Sequence, residues 1–209
     1  MTIINFVFLL ASLVFVITVH EYAHAWMANF LGDPTAKNQG RISLNPLRHL
    51  DPMGTLLIFL AGIGWGKPVP VNPFYFKNRK VYEAAVALAG PMMNLIVAVI
   101  VLIPLKYFGD SLGIYLETLL FTIFDISILL FAFNMLPFAP LDGSKVVGII
   151  IPDKWQGKYQ EFLANSAMYF FVFLLVDHFI LTRYFGFSIL SFIIGWIVTL
   201  TKTVLFLGT

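Results

Sequence analysis

The sequence predicts an all-α polytopic membrane protein with about five to six transmembrane helices and a small re-entrant β-hairpin or loop region after the first helix. Hydrophobic residues make up 59% of the 209 residues and charged residues 11%, whereas soluble domains carry about 45–50% apolar and about 25% charged residues. The apolar residues also cluster in long runs, which polar loops rich in proline and glycine separate. Since these runs take up nearly all of the chain, we expect a single domain over residues 1–209, embedded in a lipid bilayer.

The composition also narrows the classes of partner and cofactor. A net charge of +2 does not predict the basic surface that nucleic-acid binding needs, so no nucleic-acid partner is expected. The chain has no cysteine, which excludes disulfides and thiolate ligands. Any metal must therefore be held by His, Asp or Glu side chains.

The first apolar run, about Ile3 to Leu31, is predicted to be a helix that is retained in the protein. It has neither the positively charged start nor the clear small-residue cleavage site of a signal peptide. In the polar stretch that follows, Gly40–Asn45 alternates polar and apolar residues as a short strand does. The next apolar run, Met53–Ile63, would cover only about 16 Å as a helix, so we expect it to re-enter the bilayer without crossing.

Four further apolar runs are long enough to cross the bilayer, and they lie at about Tyr82–Leu105, Leu112–Leu136, Phe162–Leu181 and Phe185–Leu207. Their orientation follows from the excess of Lys and Arg that cytoplasmic loops carry. With the N-terminus outside and Met53–Ile63 not crossing, 11 of the 13 Lys and Arg residues fall on or near the cytoplasmic side. Only Lys106 and Arg183 fall outside. The predicted location is the plasma membrane, and a sixth full span over Met53–Ile63 is the alternative topology.

The first helix contains the sequence His20-Glu21-Tyr22-Ala23-His24 within an apolar run. Residues four apart share a helix face, so both imidazoles can reach one metal ion. Glu21 lies beside that face, where it can act as a general base. Ordinary surface residues are the alternative, but a charged side chain at bilayer depth costs at least about 2.5–3.5 kcal/mol unless it has a partner or a function. A catalytic zinc site normally has three protein ligands, so a third must come from another segment.

The segment Asn134–Gly143 offers Asp142 as the third ligand. Pro137 and Pro140 remove helix hydrogen bonds, so the backbone is expected to unwind here. At membrane depth, unwound backbone is tolerated only where it is buried in protein or lines a wet cavity. The alternative is that Leu-Asp-Gly is only a turn, but its combination with the first motif favours ligation by Asp142.

Three motifs, in this order, resemble those of the site-2 protease family of intramembrane zinc metalloproteases: His20-Glu21-x-x-His24, Ala89-Gly90-Pro91-x-x-Asn94 and Asn134-x-x-Pro137-x-x-Pro140-Leu141-Asp142-Gly143. The stretches Arg41–Thr55 and Gly66–Pro73 also look like the short bacterial and archaeal members. The resemblance spans roughly residues 8–148. Neither the PDZ nor the CBS domain that many relatives carry is expected.

The resemblance implies a zinc metalloendopeptidase that hydrolyses peptide bonds in or near transmembrane segments of membrane proteins, for regulated intramembrane proteolysis or signal-peptide clearance. It implies one Zn2+ per chain, held by His20, His24 and Asp142, with Glu21 as the catalytic base. It also implies a three-helix catalytic core, about residues 3–148, with the metal nearer the cytoplasmic face. The last two helices, about residues 162–207, are then accessory.

Other polar residues have more than one interpretation. Asn134 and Asn94 can donate hydrogen bonds to a substrate carbonyl or oxyanion, or they can join helices. His49 and Asp51 are expected to cap a local turn rather than to bind metal. Asp125 lies in the middle of a span and is expected to face the interior, paired or protonated.

Two rival functions come from other classes of protein. A metal transporter would usually show repeat symmetry and polar residues along its whole path, whereas the polar residues here concentrate at one depth. A non-catalytic membrane scaffold would have no need of Glu21.

Substrate binding also has two interpretations. An edge strand over Gly40–Asn45 would accept an unwound transmembrane segment as an added strand. In the alternative, this stretch is only a structured loop that covers the metal.

Overall fold

The structure is a computed structural model that describes residues 2–54 and 66–207. Within these residues, five helical segments are long and apolar enough to cross a membrane, which confirms the prediction of a helical, multi-pass membrane protein. They are Ile3–Phe30, Arg79–Phe108, Ile114–Asn134, Asp153–Phe185 and Ile189–Phe206. Residues 55–63 of the expected re-entrant run Met53–Ile63 lie outside the described residues.

Three long helices pack against one another at the centre of the fold. They are α1 (Ile3–Phe30), α3 (Arg79–Phe108) and α4 (Ile114–Asn134), and a single turn, α2 (Thr35–Asn38), follows α1. Many buried positions on α1 and α3 are alanines or glycines, which lets the two backbones approach closely in a membrane. Between α3 and α4 the buried core is larger, and it consists of Val97, Ala98, Val101, Leu102, Leu105, Phe124 and Ile128.

The chain breaks after α4, as the two prolines in this segment predict. Residues 135–141 are turns and bends, and a short helix, α5 (Asp142–Val147), follows them. The Ser144 hydroxyl donates to the Leu141 carbonyl at 2.7 Å, at the first turn of α5. At Gly143 a Cβ atom would clash with backbone carbonyls of residues 135 and 136. These close contacts fix the backbone of Asp142 at the start of α5.

Buried polar groups hold the long connection between α1 and α3. Asp33 is fully buried, and its carboxylate accepts from the backbone N–H groups of Thr35 at 2.9 Å and Asn72 at 2.7 Å. An isolated antiparallel bridge joins Leu50 to Gly66. The two ends of the connection are therefore tied to each other where they leave α1 and enter α3.

The predicted strand over Gly40–Asn45 is wrong, since the structure has a turn, a bend and coil there. Arg41 is buried, and its guanidinium donates to the Pro68 carbonyl at 3.0 Å. The Ser43 carbonyl accepts a 2.6 Å hydrogen bond from Nε2 of His49, which is also buried. The alternating sequence pattern thus reflects individual side-chain and carbonyl contacts rather than a backbone ladder.

The turn-capping role expected for Asp51 is confirmed, whereas that expected for His49 is not shown. His49 bonds to the backbone of its own loop, as described above. Asp51 Oδ1 accepts from the backbone N–H of Gly54 at 2.8 Å and so caps a turn. Among the described residues, neither side chain belongs to a group of three possible metal ligands.

The C-terminal part of the chain adds two long helices. Helix α6 (Gln156–Val176) continues through a π-helical turn into α7 (Arg183–Phe185), and α8 (Ile189–Leu207) follows. Asp177 in the π-helical turn is buried and accepts from the first backbone N–H of α8 at 2.7 Å. This contact fixes the angle between the two helices, because it caps α8 with a residue of the preceding segment.

Asp125 on α4 is paired, as expected, but its predicted position in the interior is wrong. Its carboxylate accepts from Nζ of Lys202 on α8 at 2.6 Å, and its side chain is 60% exposed. The same ammonium lies 5.6 Å from the centre of the Phe124 ring. The ion pair joins α8 to α4, and the sequence could not show it because the partner lies 77 positions away.

Candidate metal centre

His20 and His24 lie one turn apart on the same face of α1, as their spacing predicts. Their Nε2 atoms are 3.0 Å apart. Asp142, at the start of α5, places Oδ2 at 3.2 Å from Nε2 of His20 and at 3.3 Å from Nε2 of His24. Three possible metal ligands from two distant segments therefore meet at one point.

The spacing of these three atoms fits a tetrahedral zinc ion. Zinc bonds of about 2.0–2.1 Å place neighbouring ligand atoms roughly 3.3–3.4 Å apart, close to the observed 3.0–3.3 Å. Asp142 Oδ2 is buried, and none of its contacts has good hydrogen-bond geometry, so it is an acceptor that a cation would satisfy. Burial tends to raise the pKa of the Asp142 carboxyl, but the imidazoles of His20 and His24 hold that pKa well below its usual range.

A backbone contact determines which ring nitrogen of His24 carries the proton. Nδ1 of His24 lies 2.7 Å from the Val86 carbonyl on α3. Because a carbonyl only accepts, Nδ1 carries the proton and Nε2 is left with a free lone pair. Outer hydrogen bonds of this kind orient histidine ligands in metal sites, so His24 is already in the tautomer that binds zinc through Nε2.

Two cavities open at the ligands. The smaller one, of about 170 Å3, is lined by all three ligands together with Glu21, Asn134 and Lys145. Since a water molecule takes about 30 Å3 in the liquid, this cavity has room for several. The larger one, of about 400 Å3, shares His20, Glu21 and Asn134 and adds the apolar residues Ile17, Leu130, Phe133 and Leu141. Glu21, which is half-buried, is thus placed beside the ligands and next to space for water and for a substrate.

The structure brings together the four residues that the sequence assigns to the centre, which are the three ligands and Glu21. Asn134 lines both cavities, and its Nδ2 donates to the Leu130 carbonyl at 3.0 Å. Asn94 on α3 is fully buried, with Nδ2 3.1 Å from Nδ1 of His20, and it lines neither cavity. The oxyanion role of Asn134 and Asn94 stays a prediction.

Two features of the centre were not predicted. The Val86 carbonyl orients His24, but every residue has a carbonyl, so no sequence signal marks this one. Lys145 lines the smaller cavity together with Asp142. Its position three residues after Asp142 on α5 was a usable signal, because residues three apart on a helix are neighbours.

Replacing Gly90 by alanine is expected to remove most of the bound zinc. Gly90 on α3 faces the ligand pair so closely that a Cβ atom would lie 2.6 Å from Nε2 of His20 and would also clash with His24. The imidazoles would have to shift from the positions in which they meet Asp142, so we expect zinc affinity to fall by about 100-fold. Zinc content and chelator competition on purified protein measure this.

The matched control is Gly195→Ala on α8, where an added Cβ atom meets nothing within 4 Å. This variant should keep its zinc, since alanine favours a helix over glycine and nothing is displaced. Equal zinc affinity in the two variants would show that α3 does not pack against the ligands as described.

Several proteins similar to this chain are named as zinc metalloproteases or putative zinc metalloproteases. The chain is 39% identical over 176 residues to "Putative zinc metalloprotease YwhC" of Bacillus subtilis, and the match covers 81% of the chain and 78% of that relative. It is 31% identical over 145 residues to "Putative zinc metalloprotease Rip2" of Mycolicibacterium smegmatis and 24% identical over 139 residues to "Zinc metalloprotease MJ0392" of Methanocaldococcus jannaschii. These two matches cover 66% of the chain, but only 55% and 33% of the relatives. No family model and no solved structure matches the chain.

Proposed function

The chain belongs to the family of zinc metalloproteases that includes YwhC of Bacillus subtilis, and we propose that it is an intramembrane metalloendopeptidase of the site-2 type. The observation that carries the proposal is the position of the ligands. His20 and His24 lie on a helix that is long and apolar enough to cross a membrane, and Asp142 comes after the irregular segment 135–141 that follows another such helix. The proposed substrates are transmembrane segments of membrane proteins, cut for regulated proteolysis or for signal-peptide clearance.

Zinc is the cofactor, and His20, His24 and Asp142 are the residues proposed to hold one ion. Bound there, zinc supplies Lewis acidity, which polarises a carbonyl and makes water more acidic. The chain supplies the other functions, which are the removal and delivery of a proton, the orientation of the ligands and the exclusion of lipid.

Glu21 is the proposed general base. Its carboxylate takes a proton from the attacking water as the water oxygen bonds to the carbonyl carbon, and it gives the proton to the leaving nitrogen as the C–N bond breaks. The products are a new carboxyl group and a new amine. Asn134 lines the same cavities, and it is proposed to donate from Nδ2 to the developing oxyanion after Nδ2 leaves the Leu130 carbonyl.

The two cavities are proposed to serve different molecules. The smaller one contains the ligands and Lys145 and suits water, whereas the larger one has apolar walls and suits a substrate segment. Gly40–Asn45 is not a strand and contributes no residue to either wall. The hypothesis that the substrate is added to a strand at Gly40–Asn45 is therefore not retained.

Dependence of cleavage on substrate unwinding tests the proposed function. A transmembrane helix hides its carbonyls in hydrogen bonds, and each freed backbone group costs several kcal/mol in lipid. Glycine weakens a helix by about 1 kcal/mol per residue relative to alanine. We therefore expect that two Leu→Gly changes at the cut in a single-span substrate raise its cleavage in proteoliposomes about 5- to 30-fold.

The control substrate carries the same two glycines at the other end of its span, where they leave the helix around the cut intact. It should be cleaved at about the unmodified rate. Equal cleavage of all three substrates would contradict an active site that must first unwind a membrane helix.

The proposed orientation places the N-terminus outside and the metal centre nearer the cytoplasmic face of the plasma membrane. The chain has no native cysteine, so single cysteines can report the side of each loop. Cysteines replacing the exposed residues Lys77 and Lys154 should react with an impermeant thiol reagent only from the cytoplasmic side. A cysteine replacing the exposed Ser111 should react only from outside. Reaction at Lys77 from outside would show that Met53–Ile63 crosses the bilayer.

The proposed domain organisation is one membrane-embedded domain over residues 1–209. Its catalytic core, about residues 3–148, contains α1 and α3 to α5, and thus all proposed ligands and the base. The accessory part, about residues 162–207, consists of most of α6 together with α7 and α8, and none of its residues lines the two cavities.

A further inference from the structure

Asn94 is the polar side chain on α3 that contacts a proposed zinc ligand. It is 0% exposed, and its Nδ2 lies 3.1 Å from Nδ1 of His20. Its other polar atom, Oδ1, is buried and has no hydrogen-bond partner among the described residues. A buried amide oxygen without a donor costs about 1–3 kcal/mol, and the orientation of the amide decides whether its oxygen or its nitrogen faces His20.

The orientation of this amide decides which nitrogen of His20 carries the proton. With Nδ2 toward the ring, Nδ1 of His20 must accept, so the proton lies on Nε2. A protonated Nε2 has no lone pair and cannot bind zinc, although Nε2 is the atom that faces Asp142 at 3.2 Å. Rotation of the Asn94 amide by 180° exchanges Nδ2 and Oδ1, which occupy nearly the same volume. Oδ1 then accepts from Nδ1–H, which satisfies Oδ1 and frees the lone pair on Nε2.

The two histidines differ in this respect. His24 donates from Nδ1 to the Val86 carbonyl at 2.7 Å, and that contact allows one tautomer only. His20 instead meets a side-chain amide, which can donate or accept. The tautomer of His20 therefore depends on a residue that can be replaced, whereas the tautomer of His24 depends on the backbone.

We propose that Asn94 is a positioning residue of the metal centre, whose amide oxygen accepts from Nδ1–H of His20 and selects the tautomer that binds zinc. Asn94 thereby sets the zinc affinity of the centre, and it acts behind His20 instead of at the oxyanion. This inference rests on zinc as the cofactor and does not depend on the substrate or on the site of cleavage.

Zinc affinity of two Asn94 variants tests the proposal. In Asn94→Leu the acceptor is lost while the number and branching of the side-chain heavy atoms stay the same, and we expect zinc affinity to fall about 10- to 100-fold, as for other outer hydrogen bonds to metal ligands. In Asn94→Asp the ionised side chain can only accept, so affinity should stay within about threefold of the original protein or increase. Chelator competition on the purified full chain in detergent gives both affinities without any substrate.

Ser127→Ala is the control for loss of a buried polar group near the same helices. Ser127 on α4 is fully buried, and its hydroxyl donates to the Ile123 carbonyl. This variant should keep the original zinc affinity. A second readout is nitrogen NMR of histidine-labelled, zinc-loaded protein, in which Nδ1 of His20 should carry a proton in the original chain and in Asn94→Asp.

The Asn94→Asp variant shows whether Asn94 accepts from His20 or donates to it, even if Asn94→Leu fails to fold. If the amide acts as a donor from Nδ2, aspartate cannot replace it, and zinc affinity should fall at least tenfold. That fall, or unchanged affinity in a folded Asn94→Leu, would overturn the proposal. Neither result would bear on peptide hydrolysis, which other measurements test.

Discussion

Replacement of Glu21 by glutamine is expected to reduce cleavage of a membrane-embedded substrate by about 100- to 10,000-fold, the usual contribution of a general base. Glutamine has nearly the shape of glutamate but cannot take a proton from water. Glu21 lines both cavities beside the ligands, yet it does not belong to the group of three ligand atoms. Zinc content should therefore stay at one ion per chain. Rates in proteoliposomes and zinc content of the same preparation measure both effects.

Glu161→Gln is a matched control, because Glu161 is exposed on α6 and lines neither cavity. It should retain the original rate. If Glu21→Gln kept more than about a tenth of the activity, Glu21 would not be the base. If it lost zinc instead, Glu21 would be a ligand, and the roles of base and ligand would have to be reassigned.

Replacement of Asp142 by alanine is expected to remove both zinc and activity. Two imidazoles alone hold zinc poorly, since catalytic sites use three protein ligands, and the change leaves His20 and His24 without the carboxylate at 3.2 and 3.3 Å. We expect zinc content after purification to fall below about one tenth of an ion per chain, because a site that loses one of three protein ligands binds zinc much more weakly. His20→Ala and His24→Ala should behave in the same way.

The control for Asp142 is Asp153→Ala. Asp153 is 93% exposed and pairs with Lys80 at 3.3 Å outside the centre, so its loss should change neither zinc nor cleavage. Full zinc retention in a folded Asp142→Ala variant would exclude Asp142 as a ligand, and the third ligand would then have to be sought elsewhere.

The centre could be predicted from the sequence because local rules position each of its residues. The four-residue spacing of His20 and His24 puts both imidazoles on one helix face wherever the helix lies. Two prolines keep the chain unwound between the end of α4 and Asp142, and this short segment limits the positions that the carboxylate can reach. An ionisable side chain inside the bilayer is costly unless it has a partner. This cost favours contact between His20, His24 and Asp142, whose ligand atoms lie close together in the structure.

Contacts between distant segments could not be predicted in the same way. The alternation over Gly40–Asn45 fits a strand, but Arg41 and Ser43 have individual partners elsewhere in the chain. The partner of Asp125 is on α8, and the carboxylate that was expected inside lies at the surface of the helix bundle. Both wrong predictions have the same cause. A polar residue in an apolar chain is expected to have a partner, but the sequence does not show which residue that partner is.

Mass spectrometry of cleavage products shows whether peptide bonds are hydrolysed within the bilayer at the proposed zinc centre. A single-span protein is incubated with the full chain in proteoliposomes, and the new termini of its fragments are mapped. We expect new termini inside the roughly 20-residue apolar span. They should disappear with Glu21→Gln and after zinc removal, and return when zinc is restored. New termini found only in the soluble flanks, or fragments that persist with Glu21→Gln, would contradict hydrolysis within the bilayer at this centre.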